Sequence, residues 1–130
     1  MVKLLVTFAL FVLLHLVGWG VSHIWLKKNP HETLLVFDTS FAMKPHFDEM
    51  WQWSNDYAER NRYTRIVVGT DKETIGDFDT VRSQGEILRS AFGKFDGTAL
   101  DKYKTVRNDK KILLSDGNNK PDGWHVIVFN

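Results

Sequence analysis

Thr33-Leu34-Leu35-Val36-Phe37-Asp38-Thr39-Ser40, residues 33–40, is the stretch on which the fold turns. A short apolar run rich in strand-forming residues ends abruptly at an acid. Continuous apolarity, without polar alternation, reads as a strand buried on both faces, as in a parallel sheet. In open α/β sheets binding groups collect beyond the carboxyl ends of strands, which is where Asp38, Thr39 and Ser40 fall.

Downstream, Phe47, Met50, Trp51, Tyr57 and Ala58 recur at three- and four-residue steps and predict a helix. Asp48 and Glu49 suit its first turn, and Arg60 and Arg62 its end. A second strand is expected over Thr64–Val68, a turn at Asp71-Lys72-Glu73 and a short third strand over Thr74–Phe78. Val81–Phe92 reads as a helix with Ile87, Leu88, Ala91 and Phe92 inward, and Thr98–Val106 as a shorter one with Leu100 and Tyr103 at the core. Lys111–Ser115 is a further buried strand ending at Asp116-Gly117, and Trp124–Phe129 a last one. The order β-α-β-β-α-α-β-β predicts a three-layer α/β domain over residues 33–130, with a mostly parallel sheet and one antiparallel edge strand.

Upstream, Leu4–Leu26 contains no Asp, Glu, Lys or Arg over 23 residues, and about 20 suffice to cross a bilayer core. Trp19 and Trp25 lie toward its end, where indole rings favour the headgroup level, and Lys27, Lys28, Asn29 and Pro30 close it. Residues 1–28 therefore read as an uncleaved single-pass transmembrane anchor. A cleaved signal peptide is the rival, with Gly18-Trp19-Gly20 imitating a cleavage site, but the apolar run continues past it. The positive charges nearly balance across the span; the very short basic amino-terminal tail favours an exocytoplasmic domain, periplasmic if the source is bacterial. Gly18 and Ser22 form a small-xxx-small pair that permits close helix packing. His15 and His23 lie about 80° apart on a helix, not on one stripe, and read more simply as hydrogen-bonded neutral histidines than as haem ligands.

The 130 residues carry a formal net charge of +1 and no Cys. That excludes disulfides, thiolate metal sites and Cys nucleophiles. No basic stripe with interleaved aromatics is present, which argues against nucleic acid as a partner.

Three loops carry the chemistry: Asp38-Thr39-Ser40, Gly97-Thr98 and Asp116-Gly117. Carboxylates and hydroxyls converging from separate loops would make an all-oxygen site of the kind magnesium prefers. Here the sequence resembles a von Willebrand factor A (vWA) domain, whose metal-ion-dependent adhesion site reads Asp-x-Ser-x-Ser, then a distant Thr, then a distant Asp. The matching stretches are Asp38-Thr39-Ser40-Phe41-Ala42, Gly97-Thr98-Ala99-Leu100 and Ile112-Leu113-Leu114-Ser115-Asp116-Gly117. The resemblance covers Leu34–Asn130 and implies Asp38, Ser40, Thr98 and Asp116 as metal-contacting residues, with Mg2+ or another divalent cation capturing a partner carboxylate. Ala42 stands where the pattern has its second Ser, and the stretch from Thr98 to Asp116 is short for the family, so the domain would be a minimal version.

Each residue also has a plainer explanation. Asp38 and Ser40 could cap the next helix, Thr98 could be an N-cap paired with Asp101, and Asp116-Gly117 could be only a turn. Catalysis has less support. Asp38 resembles the first acid of a phosphoaspartyl site, but Ser40 stands where the second acid would be, and no partner is placed for His46 or His125 as a general base. Trp51, Trp53 and Trp124 read as packing residues. The expected function is a non-enzymatic, membrane-anchored protein–protein interaction module, a subunit or assembly factor of a larger membrane complex, with no small-molecule substrate. The alternatives are a structural transmembrane subunit without metal and a phosphohydrolase-like enzyme using Asp38. With only residues 27–32 between anchor and domain, Asp38 and Ser40 are expected to face away from the lipid.

Overall fold

A computed structural model describes residues 1–90 and 93–130. The chain forms two compact units, Met1–Pro30 and His31–Asn130. The first is helix α1 (Val2–Lys28), with Lys27 and Lys28 in its last turn and none of its residues buried. It is apolar around its whole circumference and is long and apolar enough to span a membrane, a test that a signal sequence near the amino terminus also passes.

The second unit is an α/β domain built on β1 (His31–Phe37), α2 (Phe47–Arg60), β2 (Thr64–Thr70), β3 (Thr74–Asp77), α3 (Gln84–Ile87), β4 (Lys110–Ser115) and β5 (His125–Val128). The five strands form one sheet in the order β3-β2-β1-β4-β5. β1 is central and parallel to both β2 and β4, β4 is parallel to β5, and only β2–β3 is antiparallel. The expected class is therefore observed at this level: a mostly parallel sheet with one antiparallel edge.

β1 is inaccessible from Thr33 to Phe37, as its unbroken apolarity requires. Its alternate residues feed two clusters. Leu35 and Phe37 join Met43, Phe47, Met50, Ile87, Ile112 and Leu114 under α2 and α3. Leu34 and Val36 join Leu113, Leu100 and Tyr103 on the other face. The three layers are unequal, because the second face is covered by a 3-10 segment, Gly97–Tyr103, and not by the expected α-helix.

The helix expected over Val81–Phe92 is likewise much shorter. α3 is a single turn that tightens into a 3-10 turn at Leu88–Ser90; Ala91 and Phe92 lie outside the described residues. Gly85 inside the stretch is a poor helix former, which favours the short element. α2 matches its periodicity, burying Phe47, Met50 and Ser54, and Asn61 closes it by donating its backbone N–H to the carbonyls of Tyr57 and Ala58. Trp51 and Trp53 pack against the first cluster and Trp124 against the second.

Candidate functional site

The register of the sheet brings the chemistry to one edge. Phe37 lies opposite Thr70 on one side and Leu114 on the other. The residues next in the chain, Asp38 after β1, Asp71 after β2 and Ser115 at the end of β4, therefore meet at the carboxyl edge. Backbone bonds fix this: the Asp38 N–H donates to Leu114 O at 3.0 Å and the Asp71 N–H to Phe37 O at 3.2 Å.

Asp38 is buried, with 1% of its surface exposed. Its Oδ1 accepts the backbone N–H of Ser40 at 2.9 Å, and its Oδ2 accepts the Ser115 hydroxyl at 2.9 Å. Ser115 Oγ also lies 3.3 Å from Asp116 Oδ1. Asp116 in turn holds the next loop, accepting the Asn118 N–H at 3.0 Å and the Asn118 amide at 2.6 Å. Burial pushes the Asp38 carboxyl above its ordinary range, hydrogen bonds from Ser40 and Ser115 oppose this, and the neighbouring Asp71 charge adds to the rise.

Behind this pair lies a support that the sequence motif does not contain. Asp71 is buried; its Oδ1 accepts both the hydroxyl of Thr39, at 2.6 Å, and its N–H, at 3.1 Å. Lys72 pairs with the other Asp71 oxygen and reaches Thr39 Oγ1 at 3.2 Å. Lys102 donates to Asp71 O at 3.0 Å. The middle residue of Asp38-Thr39-Ser40 is thus pinned by a partner on β2's side, which holds the flanking residues in place.

In front of Asp38 is an open cleft of about 590 Å³, lined by Asp38, Ser40, Phe41, Ala42, Lys94, Phe95, Asp116 and Asn118 together with Gly93 and Asn119. Three of the four residues implied as metal ligands, Asp38, Ser40 and Asp116, line this cleft. Thr98 does not: it is exposed in the first turn of the Gly97–Tyr103 segment, where its N–H donates to the Asp96 side chain at 3.1 Å. Asp96, not Thr98, is the N-cap. Ser40 stands at the N-cap of the Phe41–His46 turn without a side-chain capping bond, so capping does not account for it.

Two oxygen donors of the adhesion-site pattern are therefore missing, because Ala42 has none and Thr98 is elsewhere. Among the described residues no group of three or more His, Cys, Asp or Glu could hold a metal ion. The cleft thus offers two carboxylates and one hydroxyl, fewer side-chain oxygens than the full pattern, and a hard cation there would fill its remaining positions with water.

The two histidines considered as bases are not in the cleft. His46 precedes α2 with Nδ1 3.6 Å from Glu49, and His125 is exposed at the start of β5. His125 borders a second cleft of about 510 Å³ at the amino edge of β4 and β5. Several charges there are already paired: Lys104 with Asp101 at 2.7 Å, Asp109 with the Glu32 N–H at 2.9 Å, and Lys111 with Tyr103 O at 2.7 Å. The residues that sequence reasoning missed are Asp71, Ser115 as a bridge, Asn118, and Phe41 as a surface feature. Only the last carries a local signal, a large apolar residue directly after a polar loop.

Comparison with protein-family models, with curated proteins and with solved structures returns no match.

Proposed function

We propose that this chain is a membrane-anchored, vWA-like interaction module without catalytic activity, a subunit or assembly factor of a membrane complex, which docks a protein partner at the Asp38 cleft. One observation carries the reading. Phe41 is 66% exposed and lines the same open cleft as the buried Asp38 carboxylate. Large aromatics beside polar groups anchor interfaces, and the fixed loops around Asp38 cost little to order on binding. The vWA-like assignment is supported by the parallel sheet with a single antiparallel edge and by Asp38, Ser40 and Asp116 sharing one cleft. The non-catalytic assignment is supported by the position of both histidines outside it. In this reading α1 is an uncleaved anchor and the domain is exocytoplasmic.

The test is purification of the full chain from its native membrane in mild detergent, as wild type, as Phe41→Ala with Asp116→Lys, and with α1 replaced by an unrelated transmembrane helix. The expected result is a defined partner that survives the helix exchange and is lost from the cleft variant. Loss on helix exchange alone would instead favour a structural subunit held through Gly18 and Ser22.

A further inference from the structure

We propose that the Asp38 cleft receives a basic side chain of the partner, an arginine guanidinium or a lysine ammonium, directly and without a bridging divalent cation; this rests on the docking role proposed above. Ser115 Oγ is within hydrogen-bond distance of both Asp38 Oδ2, at 2.9 Å, and Asp116 Oδ1, at 3.3 Å. One hydroxyl carries one proton, so it serves one of these oxygens at a time. Among the described residues, the Ser40 N–H and hydroxyl also serve Asp38, and the Asn118 N–H and amide serve Asp116. Each ionised carboxylate offers about four acceptor sites. The pair has fewer donors than acceptor sites among the described residues, and its two carboxylates compete for the one Ser115 proton.

The charge balance points the same way. Of the charged residues lining the cleft, Asp38 and Asp116 are acidic and only Lys94 is basic. Among the described residues Lys94 makes no ion pair with either acid, so the cleft is left net negative. A guanidinium presents a planar fork of N–H donors that can meet two carboxylates at once. Its methylene stem, or that of a lysine, would lie along Phe41, Ala42 and Phe95, with the positive head close to an aromatic face. Such a ligand needs no hydroxyl from Ala42 or Thr98. A divalent cation would have to take water where Ala42 and Thr98 supply no oxygen, whereas a guanidinium brings its own donors to both acids.

The test uses the uniformly 15N-labelled full chain in lipid nanodiscs, with the backbone amides of Ser40 and Asn118 as reporters. N-acetyl-arginine methylamide is titrated in, followed separately by its neutral citrulline counterpart and by magnesium with acetate. The expected result is a saturable shift at both amides with the arginine probe, unchanged by EDTA. It should be about tenfold or more weaker with the citrulline probe and in Asp38→Asn and Asp116→Asn. A shift with magnesium and acetate that EDTA abolishes would overturn the proposal, as would an arginine response unaffected by both substitutions. An inert arginine probe, in a chain whose partner is still lost on Phe41→Ala with Asp116→Lys, sinks this inference and leaves the docking role standing. Retention of the partner by that double variant sinks the docking role itself.

Discussion

Asp38 is held at a cost to the fold. An acid whose folded-state pKa lies above its ordinary value keeps its proton in the native state after the unfolded chain has released it. The native state then binds more protons than the unfolded state, so stability falls as pH rises from the usual carboxylate range through the raised pKa. Asp38→Asn removes the charge while its side-chain oxygen can still accept the Ser40 N–H. Thermal unfolding at neutral pH should show this variant about 1 kcal/mol more stable than wild type, with the difference vanishing in acid. A variant less stable at neutral pH would contradict the account. That Asp38, Ser40 and Asp116 gather in one cleft was legible because each lies just beyond an apolar strand. The displacement of Thr98 was not: Asp96 and Thr98 are both good capping residues, and local sequence does not decide which one caps. Asp71 was read only as part of a turn, because its role depends on a sheet register that joins residues 32 positions apart.

At the scale of elements, the strands and α2 follow the sequence closely, while the two later helical stretches do not. β1 and β4 are buried runs whose length and composition leave little choice. The Gly97–Tyr103 segment was ambiguous for a physical reason. Its two buried residues, Leu100 and Tyr103, are three apart, a spacing that suits an α-helix and stacks directly in a 3-10 helix. What fixes the segment is a tertiary contact. Tyr103 covers Gly69, where an added Cβ would lie 2.9 Å from the ring carbon Cζ, and its hydroxyl donates to Thr70 O at 2.7 Å, with Glu73 O 3.1 Å away. Tyr103 therefore ties the thin second layer to the β2–β3 turn that carries Asp71. Tyr103→Phe should keep the fold and cost about 1 kcal/mol in chemical denaturation; no measurable loss would show that the hydroxyl is not a tie.

For the whole molecule, the sequence separates two tasks. α1 has the length and composition for a membrane, while the domain from His31 carries every polar group of the candidate site. The domain's two clusters share β1, so the strand that leads into Asp38 is also the centre of the fold. The proposed docking surface, built on this strand, should move little between free and bound states. The most direct measurement is site-specific photo-crosslinking in the native membrane, with a photoreactive phenylalanine analogue placed at Phe41 or, as a control, at the exposed Asp56 of α2. The account predicts one defined protein adduct from position 41 and none from position 56. Adducts of equal yield from both positions, or none from position 41 in a chain that still co-purifies with its partner, would contradict it.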